Sequence, residues 1–194
     1  IYGSTGIIGK KTLQIISKHF PKLKVNLLCA NTNIKLLIKQ TKVYKPNYVY
    51  LADVSKLENL RSKIDKKIKI LTFDELTSYL INTTSDYSIL AISGYKSLNF
   101  LDQIIINTKN LGIVSKEAIV SAGHLFKKNK YFKKTNLFPL DSEHFSIFNS
   151  IKNNSIDNLK IKNIILTASG SSFYKKKFRD LNNLSFKKAI KHPK

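Results

Sequence analysis

Three regularly spaced glycines near the start of the sequence are of a type and spacing that can bind a phosphate. Gly3, Gly6 and Gly9 stand in the stretch G-S-T-G-I-I-G, which only two residues precede. A glycine turn between a strand and a helix lets the backbone approach a pyrophosphate, which then lies at the positive end of the helix. The spacing G-x-x-G-x-x-G is a variant of the dinucleotide-binding G-x-G-x-x-G. A simple strand-to-helix turn that binds nothing is the alternative that this spacing leaves open.

The residues after the second apolar run favour NADP(H) over NAD(H) as the dinucleotide. NAD-binding folds usually have an acidic residue there, which binds the ribose 2′-hydroxyl. This sequence has A-N-T-N-I-K at residues 30–35, without an acid. A carboxylate would repel a 2′-phosphate, whereas the amides of Asn31 and Asn33, the hydroxyl of Thr32 and the nearby Lys35 would favour it. We therefore expect NADPH.

A pair of carboxylates further along the chain suits a metal ion. Asp141 and Glu143 follow an apolar run and are two residues apart. In an extended chain they would point to the same side and could bind a hard divalent cation, Mg²⁺ or Mn²⁺. The alternative is an acidic helix start, with Asp141 as N-cap and Glu143 in the first turn. The spacing alone slightly favours this alternative.

Short apolar runs that alternate with segments of helical spacing must position these residues. The runs predict strands at 25–30, 48–51, 68–71, 87–92, 111–114, 136–140 and 161–166. Helices are expected around the stripe of Leu13, Ile16 and Phe20, at 75–80 behind the capping box T-F-D-E, and at 95–108. This alternation predicts an α/β fold with a Rossmann-like, doubly wound, mostly parallel sheet that is covered on both faces.

Composition and charge narrow the class of protein. The chain has 194 residues, of which 42% are hydrophobic, and a net charge of +22 from 34 basic and 12 acidic residues. The lysines are scattered, which favours anionic small molecules over nucleic acid, although a basic nucleic-acid-binding module stays as an alternative. The single cysteine, Cys29, excludes an intrachain disulfide and favours a reducing compartment. No apolar run reaches the roughly 18 residues of a membrane span, and the absence of methionine predicts a processed chain or a piece of a longer one.

Five motifs together resemble the 1-deoxy-D-xylulose 5-phosphate reductoisomerase family over the whole chain. They are G-S-T-G-I-I-G at 3–9, S-K-E at 115–117, P-L-D-S-E-H at 139–144, T-A-S-G at 167–170 and H-P-K at 192–194. The resemblance implies a metal-dependent rearrangement of a sugar phosphate followed by reduction with NADPH, which forms 2-C-methyl-D-erythritol 4-phosphate. Mn²⁺ or Mg²⁺ would be the metal, with Co²⁺ as an alternative. A different NADP-dependent dehydrogenase with the same first domain is the competing enzyme hypothesis.

The resemblance also implies a role for each matching residue. The expected cofactor contacts are Thr5, Gly6, Ile7 and Ile8 at the pyrophosphate, Asn31, Thr32 and Asn33 near the 2′-phosphate, and Ser115 and Glu117. The expected metal ligands are Asp141 and Glu143, and the expected substrate contacts are Lys116, Ser142, Glu143, Ser169 and His192. Lys116, Asp141 and Glu143 would be catalytic. By residue type alone, Lys116 and Glu117 would be surface charges at a helix start, Ser169 part of a turn and His192 an exposed tail residue.

The chain departs from the family pattern at three places. Ser115 stands where the family usually has asparagine, Asn31 and Thr32 stand where it has Gly-Lys, and Ser171 and Ser172 replace a glycine and a proline. We expect these changes to alter the affinities for cofactor and substrate and the reaction rate more than the type of reaction.

The resemblance predicts two domains and a cellular setting. We expect an NADPH-binding domain at 1–139 and the beginning of a catalytic domain at 140–194. We also expect a homodimer in the full-length protein and no membrane or nucleic-acid partner. The compartment would be the bacterial cytoplasm, or a plastid-type organelle if a targeting segment has been removed.

Overall fold

The computed structural model describes residues 1–128 and 134–151 and the single positions 163, 165, 177, 185 and 187. It divides into two compact units, Ile1–Asp141 and Ser142–Lys194. The described strands are β1 (Leu27–Ala30), β2 (Tyr48–Leu51), β3 (Lys69–Leu71), β4 (Ser85–Leu90), β5 (Thr108–Ile113) and β6 (Asn136–Pro139). The described helices are α1 (Ile7–His19), α2 (Ile34–Tyr44), α3 (Leu57–Arg61), α4 (Phe73–Asn82), α5 (Leu98–Ile106), α6 (Lys116–Lys128) and α7 (Ser142–Ile151). The strand predicted at 161–166 falls mostly outside the described residues.

The six strands of the first unit form a parallel sheet around Tyr2. Strands β1, β2 and β3 pair in that order, and so do β4, β5 and β6. Tyr2 forms parallel bridges to both Cys29 and Leu90, which joins the two halves. The resulting order, β3-β2-β1-Tyr2-β4-β5-β6, is that of a doubly wound dinucleotide-binding sheet in which Tyr2 takes the place of the first strand. The predicted α/β fold is confirmed.

Helices cover both faces of this sheet, because successive strand residues point to opposite sides. Leu27 and Cys29 of β1 belong to one buried cluster, together with apolar residues of α4, α5 and α6. Leu28 and Ala30 of the same strand belong to a second cluster, which α1, α2 and α3 complete. All four residues of β1 are buried. The continuous apolar runs in the sequence are therefore explained by a sheet with two cores.

Local signals fix some helix boundaries but not all. The capping box is present: the Thr72 hydroxyl accepts from the Glu75 backbone N–H at 3.2 Å, and the Glu75 carboxylate accepts from the Thr72 N–H at 2.9 Å. The predicted helix at 75–80 is thus confirmed and extends over all of α4. The single helix predicted at 95–108 is wrong in its bounds. A 3-10 turn at Tyr95–Ser97 precedes α5, and Thr108 already pairs with Ser85 in the sheet.

The second unit begins with α7, at Ser142. None of the helices in the described part of the chain combines the length and the apolarity that crossing a membrane requires.

Candidate nucleotide-binding site

The glycine loop is held tightly between two strands. The backbone N–H groups of Gly3 and Ser4 both donate to the Cys29 carbonyl, at 3.0 and 2.9 Å. Gly3 has a φ of +80°, and a Cβ there would lie 2.5 Å from the Ala91 carbonyl oxygen. Only glycine combines this backbone conformation with so close an approach. The first glycine therefore makes the tight turn that the sequence predicted.

The third glycine brings helix α1 against the loop. A Cβ at Gly9 would lie 2.3 Å from the Gly3 carbonyl oxygen and 2.7 Å from the Ser4 Cα. These neighbours are backbone atoms, which cannot rotate away as a side chain can. The absence of a side chain at Gly9 therefore sets the distance between the helix and the loop.

The middle glycine begins the helix. Gly6 is the N-cap of α1 with φ −73° and ψ 176°, and within the described residues it has no side-chain cap. The first turn of α1 contains no acidic residue, and Lys18 and His19 lie in its last turn. The first N–H groups of a helix have no partner within the helix and have a positive potential. An anion can therefore bind at this end of α1.

A buried hydrogen-bonded pair fixes the loop to helix α2. The Ser4 hydroxyl donates to Gln40 Oε1 at 2.8 Å, and Gln40 Nε2 donates back to the Ser4 carbonyl at 2.8 Å. Ser4 is fully buried and Gln40 is 5% exposed. This pair could not be predicted from the sequence because 36 residues separate its members. The feature of the sequence that could have indicated the pair is a glutamine, Gln40, on the apolar face of the helix after β1.

Replacing Gln40 by leucine should destabilise the protein by about 1–3 kcal/mol, because the Ser4 hydroxyl and carbonyl would stay buried without this partner. The matched control is Gln14→Leu on the exposed face of α1, for which we expect a change within about 0.5 kcal/mol. Urea unfolding measures both. Equal stability of the two variants would contradict a structural role for the pair.

A cleft of about 650 Å³ lies beside the loop, at the carboxyl ends of the central strands. Gly3, Thr5 and Gly6 line it on one side, and Asn31 on another. Tyr50, Phe73 and Phe100 contribute aromatic surface, and their rings also pack against one another. Ligands of open α/β sheets bind in this position, where the strand order reverses.

The far wall of the cleft was not predicted from the sequence. It follows β4 and includes Ile92, Ser93, Tyr95, Lys96 and Asn99. The signal in the sequence was the turn at Gly94, which has a φ of +73°. Lys96 adds a positive charge to this cleft, which would favour the phosphates of a dinucleotide.

The predicted 2′-phosphate residues follow β1 on the surface. Asn31 lines the cleft, and Thr32 and Asn33 are exposed outside its lining. Asn33 is the N-cap of α2, since its Oδ1 accepts from the Leu36 N–H at 3.1 Å. The sequence has no acid in this stretch, but the fold brings one close: the Asp53 N–H donates to the Asn31 carbonyl at 3.0 Å.

Ser115 and Glu117 interact at the start of α6. The Ser115 hydroxyl lies 2.8 Å from Glu117 Oε2 and 3.1 Å from the Gly94 carbonyl, and Ser115 is 3% exposed. Hydrogen bonds from the backbone N–H of Glu117 and from Ser115 hold the pKa of the Glu117 carboxyl below its usual value. Neither residue lines the cleft, and neither do the predicted pyrophosphate residues Ile7 and Ile8. Ser115 contacts the cleft wall through the turn at Gly94.

The described metal and substrate residues of the prediction are divided between the two units. Asp141 ends the first unit, and Ser142 and Glu143 belong to the second, where the Ser142 hydroxyl donates to Glu143 Oε2 at 2.8 Å. The extended geometry considered for the carboxylates does not hold, because α7 begins at Ser142 with Glu143 in its first turn. Lys116 is the exposed first residue of α6.

Part of the predicted site cannot be compared with the structure. Ser169 and His192 fall outside the described residues. Within 1–128 and 134–151, no three His, Cys, Asp or Glu side chains come together as a metal site. The described carboxylates alone could thus supply only part of a ligand set.

The glycine loop, the helix start and the cleft at the strand ends define an α/β protein with the dinucleotide-binding fold. Comparison with known families gives a more specific assignment. The chain belongs to the 1-deoxy-D-xylulose 5-phosphate reductoisomerase family, whose sequence model matches residues 1–123. The model of the C-terminal domain of this reductoisomerase matches residues 137–194. The resemblance inferred from the five motifs is confirmed.

Curated relatives are similar over the whole chain. The 1-deoxy-D-xylulose 5-phosphate reductoisomerase of Pelagibacter ubique is 38% identical over 197 residues, which cover 100% of this chain and 50% of the relative. The protein of the same name from a Sulfurihydrogenibium species is 36% identical, with 100% and 48% covered. The chain thus spans about half the length of the curated relatives that it matches.

Solved structures of 1-deoxy-D-xylulose 5-phosphate reductoisomerases are similar to this chain in fold. A DOX-P reductoisomerase in complex with NADPH, fosmidomycin and magnesium superposes with a TM-score of 0.75 and 27% identity, over 99% of this chain and 50% of that one. The Zymomonas mobilis enzyme in complex with NADPH gives a TM-score of 0.65 and 29% identity, over 74% and 38%.

Proposed function

We propose that the chain binds NADPH and supplies the cofactor half of a 1-deoxy-D-xylulose 5-phosphate reductoisomerase. The product would be 2-C-methyl-D-erythritol 4-phosphate, a precursor in non-mevalonate isoprenoid synthesis. The observation that supports this most directly is the glycine loop, which begins α1 without a side-chain cap at the edge of the cleft. The NADPH complexes of the related structures support the same choice of cofactor.

The loop would bind the cofactor through its backbone. The N–H groups of Ile7 and Ile8 in the first turn of α1 would donate to the pyrophosphate, and Thr5 would add a hydroxyl from the cleft lining. The Gly6 N–H donates to the Gly3 carbonyl at 3.0 Å, so Gly6 would contribute the close approach of its backbone. Ile7 and Ile8 can fulfil this role although their side chains lie outside the lining, because the contact needs only the backbone. Asn31, Thr32 and Asn33 would then lie towards the adenosine 2′-phosphate.

Residues at the start of α6 and in the first turn of α7 would act at the nicotinamide end of the cofactor and on the substrate. Ser115 and Glu117 would position the nicotinamide side through the turn at Gly94, because Ser115 donates to the Gly94 carbonyl at 3.1 Å. Lys116 would place a positive charge beside substrate oxygens on which negative charge develops. Ser142 would orient a substrate hydroxyl. We extend the same proposal, on the motif match alone, to substrate contacts by Ser169 and His192.

The carboxylates of Asp141 and Glu143 fit a hard divalent cation such as Mg²⁺ or Mn²⁺, because carboxylate oxygens are the donors that these ions prefer. Because no third His, Cys, Asp or Glu side chain of the described residues joins them, water, substrate oxygens or other residues would complete the coordination. A divalent cation in this place would polarise the substrate carbonyl as a Lewis acid. The magnesium of a related structure supports this choice.

The domain assignment and setting are part of the proposal. We assign cofactor binding to residues 1–139 and metal and substrate binding to the part that begins at 140. The division between the units after Asp141 supports a boundary in this region. We propose that the protein works in the cytoplasm of a bacterium, and the bacterial relatives support a bacterial origin. We also propose that the full-length protein is a homodimer and that the 194 residues alone have no activity.

The cofactor proposal predicts that a negative charge at Gly6 will block NADPH. The φ of −73° at Gly6 suits any residue, and a Cβ would lie 3.3 Å from the Gly3 carbonyl oxygen, a tight contact that a small shift of the loop relieves in both variants alike. Aspartate and asparagine are both good N-caps, so both variants should fold. Because only the carboxylate repels the pyrophosphate, we expect Gly6→Asp to bind at least about tenfold more weakly than Gly6→Asn.

Calorimetric titration of residues 1–194 with NADPH measures this difference, and circular dichroism checks the fold of each variant. The unmodified chain should bind one NADPH. A folded chain that binds no NADPH, or equal affinities of the two variants, would contradict the proposed site.

A further inference from the structure

An acid–lysine pair lies against the loop that follows β1. Lys56 Nζ contacts Asp53 Oδ2 at 2.7 Å and the Thr32 carbonyl oxygen at 3.4 Å. Asp53 is held in place by its own backbone, which donates to the Asn31 carbonyl at 3.0 Å. The fold thus brings the 53–56 segment to the residues expected near the 2′-phosphate. Because 24 residues separate Lys56 from Thr32, this contact could not be predicted from the sequence.

The negative charge of Asp53 is largely engaged within the segment. Its Oδ1 accepts from the Ser55 backbone N–H at 3.2 Å and from the Ser55 hydroxyl at 2.5 Å, and its Oδ2 faces Lys56. The hydrogen bonds from Lys56 and Ser55 hold the pKa of the Asp53 carboxyl below its usual value. Asp53 therefore stays ionised, and the adjacent Lys56 ammonium offsets its charge.

The lysine keeps capacity for a ligand. An ammonium group has three N–H donors, and among the described residues Lys56 Nζ contacts two acceptors, Asp53 and the Thr32 carbonyl. The Lys56 side chain is 40% exposed, against 22% for Asp53, so the cation is the more accessible member of the pair. A phosphate next to Thr32 could therefore accept a hydrogen bond from this lysine.

We propose that Lys56 binds the adenosine 2′-phosphate of NADPH and makes the site prefer NADPH to NADH. The inference rests on the proposed binding of NADPH in the cleft. The stretch at 30–35 provides amides, a hydroxyl and Lys35, which is exposed on α2. Lys56 differs from Lys35 because Asp53 and Thr32 already fix its position, so less side-chain entropy is lost when a phosphate binds.

The test compares two nucleotides that differ only in the phosphate concerned. Adenosine 2′,5′-bisphosphate and adenosine 5′-monophosphate are titrated into residues 1–194 at low salt, where exposed charge contacts are least screened. We expect Lys56→Ala to weaken the bisphosphate about tenfold and to leave the monophosphate nearly unchanged. Lys56→Arg should restore most of the preference. Lys66→Ala removes the same charge from the turn before β3 and should change neither affinity.

A double variant separates direct binding from neutralisation of Asp53. If Lys56 contacts the phosphate, Asp53→Asn/Lys56→Ala should still bind the bisphosphate several-fold more weakly than Asp53→Asn. Equal affinities of these two variants would overturn the proposal, and so would an unchanged preference in Lys56→Ala or a loss only in Lys35→Ala. A folded, unmodified chain that binds neither nucleotide would instead contradict the proposed cofactor site itself.

Discussion

Replacing Gly9 by alanine should lower the free energy of unfolding by about 2–3 kcal/mol. The added Cβ would lie 2.3 Å from the Gly3 carbonyl oxygen and 2.7 Å from the Ser4 Cα. Both are backbone atoms of the loop, so the contact is relieved only if α1 moves away. That movement would strain the packing of Leu13, which is 1% exposed in the core under α1. It would also displace the helix start from the cleft, so NADPH binding should fall together with stability.

A second glycine provides the matched control. Gly123 lies within α6, and among the described residues a Cβ there would meet only the Ile119 Cγ2, at 3.7 Å. Alanine is favoured over glycine in a helix, so Gly123→Ala should be neutral or stabilising by up to about 1 kcal/mol. Urea unfolding of both variants, followed by circular dichroism, measures the difference. If Gly9→Ala is as stable as Gly123→Ala, α1 does not pack on the loop as described.

Loss of either carboxylate at the unit boundary should abolish most of the enzymatic activity. The activity is measured in an extended protein, in which residues 1–194 are followed by the second half of one of the curated relatives. A divalent cation contributes several kcal/mol to the transition state, so we expect Asp141→Asn and Glu143→Gln each to lower turnover at least about 100-fold. NADPH affinity should stay within about twofold, because the glycine loop is untouched.

The controls for this prediction are isosteric changes elsewhere. Glu58→Gln on α3 and Asp102→Asn on α5 remove the same charge from exposed positions and should leave turnover unchanged. Turnover is followed over a range of Mg²⁺ concentrations. An Asp141→Asn or Glu143→Gln protein with unchanged turnover and unchanged Mg²⁺ dependence would show that the carboxylates are not metal ligands.

The sheet and its central loop could be predicted because their signals are local. Buried parallel strands need continuous apolar residues, so the run at 48–51 matches β2 residue by residue. The turn at Gly3 and the close approach at Gly9 follow from glycine spacing alone. The capping box at Thr72 is also local, since its two hydrogen bonds join residues three apart.

The parts that could not be predicted depend on contacts between distant segments. Gln40 is recognisable as a support of the loop only when α2 packs beside Ser4. Lys56 reaches Thr32 only because β1 and β2 are neighbours in the sheet. The carboxylate pair shows a different difficulty: its spacing fits both an extended chain and a helix start, and α7 resolves the backbone in favour of the helix. The spacing of the two carboxylates alone did not indicate a metal site. The five motifs together identified the family and, with it, the metal-binding role proposed for this pair.

The most direct test of the account is the oxidation of NADPH by the extended protein, followed by absorbance, with the unmodified relative as the positive control. We predict oxidation that requires both 1-deoxy-D-xylulose 5-phosphate and a divalent cation and that stops when a chelator removes the cation. A folded extended protein that binds NADPH but does not oxidise it with this substrate, or that oxidises it equally well without the cation, would contradict the account.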